Sequence, residues 1–210
     1  MANRGLVRAS QAPSAALRPL LQPLYDTEMI PSNGGIANLV LFARPVGQAF
    51  QSAVATGARA KTLADTNMVL GGQLGTPQEF DLFGFNCQLV DNLLAGITRV
   101  DFLNASGLGV FQFQFGQGRP YLQTRLKDIP AGCDEYRSSV DGAGALDSAQ
   151  TSGLPSVKEV YNFAVKRQPV HIYPQEAFSV TVGWPVAAAL PLTDDLRLTV
   201  YLRGILYASL

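Results

Sequence analysis

The sequence predicts an all-β domain of two packed antiparallel sheets. Three observations carry that prediction: two runs of strict two-residue alternation near the C-terminal end, a series of shorter alternating runs punctuated by Gly and Pro, and no convincing long helix. Phe178, Val180, Val182 and Trp184 share one parity and Ser179, Thr181 and Gly183 the other, a period that only a half-buried strand satisfies. Leu196, Leu198, Val200 and Leu202 repeat the pattern against Arg197, Thr199, Tyr201 and Arg203.

Residues 1–32 read as an extended N-terminal arm. Arg4, Arg8 and Arg18 precede the first acid, Asp26, amid Ala, Gln and Pro, a composition unlikely to build its own core. Ser14 is placed to cap a short helix over residues 15–21. Leu17, Leu20, Leu21, Leu24 and Tyr25 make the segment too apolar for a purely solvated tail. They are candidate docking residues, and the arm is expected to order only on contact with a neighbour. Arg4, Arg8 and Arg18 are candidates for weak, sequence-independent attraction to nucleic-acid phosphates or to a lipid surface.

Residues 33–210 read as one domain, since β-sandwiches of this length usually form a single unit. The first strand, residues 36–43, ends at Arg44-Pro45, where the proline removes a ladder donor. Residues 63–70 are expected to form a second strand, closed by Gly71-Gly72 and the turn Gly75-Thr76-Pro77. In residues 79–90, Phe80 and Leu82 share one parity, while Phe83, Phe85, Cys87 and Leu89 share the other. That slip predicts a bulge near Phe83-Gly84, because one inserted residue reverses which face is buried. Short strands follow at 98–103, at 108–115 with Phe111, Phe113 and Phe115 on one side, and at 120–126. Residues 131–156 form a long Gly, Ala, Ser and Asp loop, of the length that tends to be functional or disordered. Residues 160–165 and 170–173 then lead into the two C-terminal strands. The sum is an eight-stranded antiparallel jelly-roll sandwich, in which two sheets bury each other's apolar faces.

Composition narrows the function. Charged residues make up 15% of the 210-residue chain and hydrophobic ones 47%, with sixteen basic and sixteen acidic side chains cancelling. Soluble proteins carry roughly 25% charge, so this chain is poorly equipped to cover a monomer's surface, and near-zero net charge favours association. The longest apolar runs, such as residues 186–192, fall far short of the roughly 20 residues of a membrane-spanning helix. Prolines 13, 19 and 23 interrupt the N-terminal segment before a signal-peptide core can form, so the chain reads as made in the cytosol.

Catalytic constellations are missing. A cupin-like metal centre needs several converging histidines, and the chain has only His171, which reads as a structural or surface residue on a strand. No Gly-x-Ser-x-Gly elbow is present, and the glycines at 71–75 lack the Lys-Ser/Thr of a phosphate loop. The carboxylate pairs Glu79/Asp81, Asp134/Glu135 and Asp194/Asp195 are sequence neighbours, which does not place two carboxyls roughly 5–9.5 Å apart across a cleft. Cys87 and Cys133 read as one packed and one loop thiol. No enzyme activity, cofactor, metal or small-molecule substrate is expected.

The basic, apolar-dotted arm, the stretch GGQLGTPQEFDLFGFNCQL at residues 71–89, and the ending that runs from His171-Ile172-Tyr173-Pro174 to Arg203-Gly204-Ile205-Leu206 resemble single-jelly-roll capsid proteins of tailless icosahedral bacteriophages. The likeness covers roughly residues 36–210 and lies in layout and phrasing. It implies a virion shell protein made in the host cytoplasm, assembled with identical subunits and other capsid proteins. The arm would tie subunits together through Leu17, Leu20, Leu21, Leu24 and Tyr25 and contact the genome or an inner membrane. The alternative is a ligand- or carbohydrate-binding jelly roll of a virion vertex or spike, with Tyr173 and Trp184 as stacking candidates; Trp184, however, shares parity with the core side of its strand.

Overall fold

The computed structural model describes residues 17–32, 37–52, 59–91, 105–116, 120–129, 139–141, 145–147, 161–162, 169–184, 192 and 195–209. The strands run in chain order as β1 (Arg18–Leu20), β2 (Leu24–Ile30), β3 (Asn38–Leu41), β4 (Glu79–Asp91), β5 (Val110–Phe115) and β6 (Leu122–Arg125). They continue as β7 (Ser139–Asp141), β8 (Ala145–Asp147), β9 (Tyr161–Asn162), β10 (Val170–Ile172), β11 (Phe178–Gly183) and β12 (Leu196–Ala208). Two antiparallel sheets make an all-β sandwich. In the first, β12 lies between β4 and the successive strands β1 and β2, while β10 and β9 pair with the far side of β4. The second has the order β3-β11-β5-β6. β7 and β8 form a separate hairpin inside the segment read as a long loop.

The alternation read from the sequence sets which side chains meet between the sheets. Phe178, Val180, Val182 and Trp184 are buried, as are Leu196, Leu198, Val200 and Leu202. They join Leu39, Leu41, Phe111 and Phe113 in one apolar core, where the Phe85 ring lies 5.2 Å from Phe111 and 5.1 Å from Phe113, spacing at which aromatic pairs attract beyond simple burial. Trp184 donates its indole N–H to the Ala105 carbonyl at 2.9 Å. Its ring is therefore core, leaving no face for a stacked ligand.

The bulge forms where the phase slips. β4 and β12 pair continuously from Leu196↔Asp91 to Arg203↔Gly84, after which Gly204 faces Leu82 and Phe83 is left out of the ladder. Phe80 and Leu82 face the core before the bulge, and Phe85, Cys87 and Leu89 after it. Gly204 is required on the opposite strand, because a Cβ there would overlap the Asp81 backbone carbonyl and the Phe80 ring. A carbonyl held in a ladder cannot yield, so Gly204→Ala is expected to cost about 1–3 kcal/mol, in the range of an overpacked core. Urea unfolding reads this directly; an unchanged midpoint would contradict it.

Two expected elements differ from what forms. Arg18–Leu20 is a strand paired with Leu206–Ala208 rather than part of a helix, since β12 extends far enough to offer it a ladder. The strand expected over residues 63–70 is a series of turns joined to β2 by a single bridge, Asp26↔Thr66. The Asp65 carboxylate accepts from both the Thr62 N–H and its hydroxyl, a local arrangement that competes with strand pairing. The strand expected at 98–103 lies outside the described residues. None of the described helices is long and apolar enough to cross a membrane.

Candidate functional site

The candidate docking residues divide by location. Arg4 and Arg8 lie outside the described residues, and Arg18 is exposed on β1. Leu24 belongs to the core, Leu20 packs against it, and Leu17 is buried. Tyr25 is half-buried, its hydroxyl donating to the Leu63 carbonyl. Of the five apolar candidates, Leu21, at 90% exposed, is the one free to meet another molecule. Two further exposed apolar side chains that the sequence reading did not single out, Leu63 (70%) and Val69 (81%), lie in the turn segment that packs along β2.

The turn segment is laced to β2 and to the residues just before it. The Asn67 side chain donates to the Pro23 carbonyl and accepts from the Tyr25 N–H, at 2.8 and 2.9 Å. The Thr66 hydroxyl donates to the Tyr25 carbonyl. These bonds cover part of the free edge of β2, a common protection against unwanted strand pairing. They also hold the turn that carries Leu63 and Val69 beside the segment that carries Leu21.

β2 also takes part in a buried charge cluster. Asp26 and Glu28 have the same parity as Leu24 and Ile30 on β2 and are 0% exposed; Lys61 is 1% exposed. The Lys61 ammonium donates to Asp26 Oδ1 at 2.8 Å and lies 2.7 Å from Glu28 Oε1. The Phe42 N–H donates to Asp26 Oδ2 and the Gln51 N–H to Glu28 Oε2, tying β2 to the segment after β3. Burial pushes the Asp26 carboxyl up to about 6, against the opposing pull of Lys61 and the Phe42 N–H. Nearby, Asp65 is gripped by both terminal nitrogens of Arg59, at 2.8 and 2.9 Å, and approached by Arg197 at 3.3 Å. Burial would raise the Asp65 carboxyl, but the Arg59 and Thr62 hydrogen bonds outweigh it and hold the group at about 2.

A second polar cluster lies on the outer part of the same sheet. His171 on β10 pairs in register with Asp81 on β4. Its Nδ1 is 2.7 Å from Asp81 Oδ1, and its Nε2 is 3.4 Å from Glu79 Oε2. The Tyr207 hydroxyl donates to Asp81 Oδ2 at 3.0 Å, and the Tyr173 ring meets the imidazole edge-on at 4.4 Å. The Glu79/Asp81 pair thus converges on the histidine, and the three strands β10, β4 and β12 are pinned together. Among the described residues, no three His, Cys, Asp or Glu side chains are arranged to hold a metal ion. Cys87 is a free thiol packed in the core, and burial raises its pKa. Cys133 lies outside the described residues.

The signal for the buried charges was present in the order Leu24-Tyr25-Asp26-Thr27-Glu28-Met29-Ile30. Two carboxylates at the parity of two core side chains must find a buried cation or remain unpaired, which is strongly unfavourable. No protein-family model, curated protein or solved structure matches the chain.

Proposed function

We propose that this chain is a structural subunit of an icosahedral bacteriophage capsid, folded as a jelly roll and assembled in many copies. The fold reading rests on nested pairing: β2 with β12, β3 with β11, β4 with β10, and β5 with β6. Outermost strands pair with outermost and innermost with innermost, as when one long antiparallel hairpin rolls into two sheets. This nesting of eight strands supports the jelly-roll layout that viral shell domains use repeatedly, although the fold alone does not assign a function.

The observation that carries the functional reading is the exposure of the large apolar side chains Leu21, Leu63 and Val69 on a chain with 15% charged residues and no net charge. Large apolar side chains held outward by a hydrogen-bonded frame mark a contact surface. Low charge removes the electrostatic penalty of crowding identical copies. Closed shells need only modest pairwise contacts, because each subunit makes several at once.

The test separates folding from assembly. The double variant Leu21→Asp/Val69→Asp is expected to unfold as the parent does, since neither side chain is buried. It should lose the large particle seen by light scattering and electron microscopy. Each lost contact, if fully buried in the shell, removes about 1.5–3 kcal/mol, or roughly 10- to 150-fold in association. A parent chain that stays monomeric under all assembly conditions, and is absent from any particle, would overturn the proposal.

A further inference from the structure

The geometry points to a covalent bond: an amide joining the Lys61 side chain to the Asp26 side chain, formed within the folded chain with Glu28 as the proton carrier. An amine, a carboxyl and a second carboxylate meet here in a site closed to water. Lys61 Nζ is 2.8 Å from Asp26 Oδ1, so the carboxyl carbon it would attack is one bond further on. Glu28 Oε1 is 2.7 Å from the same nitrogen and has no aligned hydrogen-bond donor among the described residues. It is positioned to take a proton from the ammonium and return it elsewhere.

Surrounding groups seal the three side chains from water. One ammonium faces two carboxylates with all three side chains buried, while Arg44, the other cation nearby, is 3.8 Å from Glu28 and partly solvated. The Phe50 ring lies 5.4 Å from Lys61 Nζ, its face turned to the nitrogen, and closes that side of the site. Burial raises the Asp26 carboxyl to about 6 despite its cationic neighbour, which favours the protonated acid. Holding reactants together in such a site corresponds to effective concentrations of about 10⁵–10⁸ M in favourable cases.

Phe42 supplies the remaining element. It is a buried, non-glycine residue with φ 68°, a left-handed conformation that large side chains rarely adopt and that concentrates at functional positions. Its N–H is aimed at Asp26 Oδ2, where negative charge would collect when the carboxyl carbon becomes tetrahedral. A fixed backbone donor at that position acts as an oxyanion hole.

The step balances without an outside reactant. Glu28 accepts one proton from the Lys61 ammonium, and the free amine adds to Cγ of the protonated Asp26 carboxyl. Charge develops on Oδ2 against the Phe42 N–H. Glu28 then protonates the Oδ1 hydroxyl, the Cγ–Oδ1 bond breaks, and water leaves. The nitrogen's surplus proton passes to the Glu28 carboxylate, giving one amide, one water and a protonated Glu28 from one ammonium, one carboxylic acid and one carboxylate. Nothing is oxidised or reduced.

Intact mass spectrometry of the denatured full-length chain tests this. The parent is expected to be lighter than its sequence by one water, with proteolysis giving a branched fragment joined through Lys61 and Asp26. Lys61→Arg, which keeps the charge, should show the full sequence mass, and Glu28→Gln should remain unlinked. Asp26→Asn should release ammonia instead and reach the same linked mass as the parent. A folded parent at its full sequence mass, or a water loss that persists in Lys61→Arg, would overturn the inference without requiring any variant to be as stable as the parent.

Discussion

A chain that begins after Ile30 is expected not to fold, whereas one that begins at Leu17, keeping β1 and β2, is the control expected to fold. Removing β2 takes Leu24, Met29 and Ile30 from buried positions, each worth roughly 1.5–3 kcal/mol when complete. It also strips Lys61 of both carboxylates. A buried cation left alone costs about 3–5 kcal/mol by comparison with broken buried pairs. Together these losses approach the roughly 5–15 kcal/mol that holds a typical domain. Circular dichroism and one-dimensional proton spectra of the two truncations decide the matter; a folded chain lacking residues 1–30 would show β2 to be an accessory. The sequence reading had the whole segment ordering only against a neighbour. β2 instead finds its partner inside the chain, along Leu196–Leu202.

Val180→Asp is the second change expected to unfold the protein. Val180 is fully buried at the centre of β11, paired on one side with Leu41 and on the other with Phe113. Its neighbours across both ladders are apolar, so the carboxylate must protonate or draw in water. Either route costs several kcal/mol, on top of the lost packing. Expression in the insoluble fraction, or loss of the cooperative thermal transition, is the expected result. An unchanged melting temperature would mean that the side chain does not face the opposite sheet.

The sandwich was legible wherever one face is dry and the other wet. Phe178–Gly183 and Leu196–Ala208 show their burial in their spelling, and the Phe83 bulge was readable because a single extra residue inverts a parity that β4 otherwise keeps. Local alternation carries no such information where turns draw on distant partners. Residues 63–70 look strand-like, but Asn67 and Thr66 give their hydrogen bonds to Pro23 and Tyr25, some forty positions earlier in the chain. The same long-range closure hid the charge cluster. Lys61 stands in a loop of small and polar residues, and only the return of the chain against β2 places its ammonium between Asp26 and Glu28. His171 was read as a structural or surface residue; that it is buried with Asp81 and Glu79 flanking it depends on the register of β10 against β4.

The position of β12 sets the order of events during synthesis. It is the central partner of the first sheet, flanked by β4 on one side and by β1 and β2 on the other, yet it is translated after all of them. Until Leu196–Ala208 leaves the ribosome, β2 and β4 have no neighbour to bridge them, and their ladder groups stay open to other nascent chains. Such distant pairings close slowly because loop entropy is lost before contacts form, and unpaired edges on a waiting chain invite aggregation. Ribosomes translating this message would therefore carry chains whose first sheet is unzipped down its middle, and chaperone occupancy should end abruptly when β12 emerges.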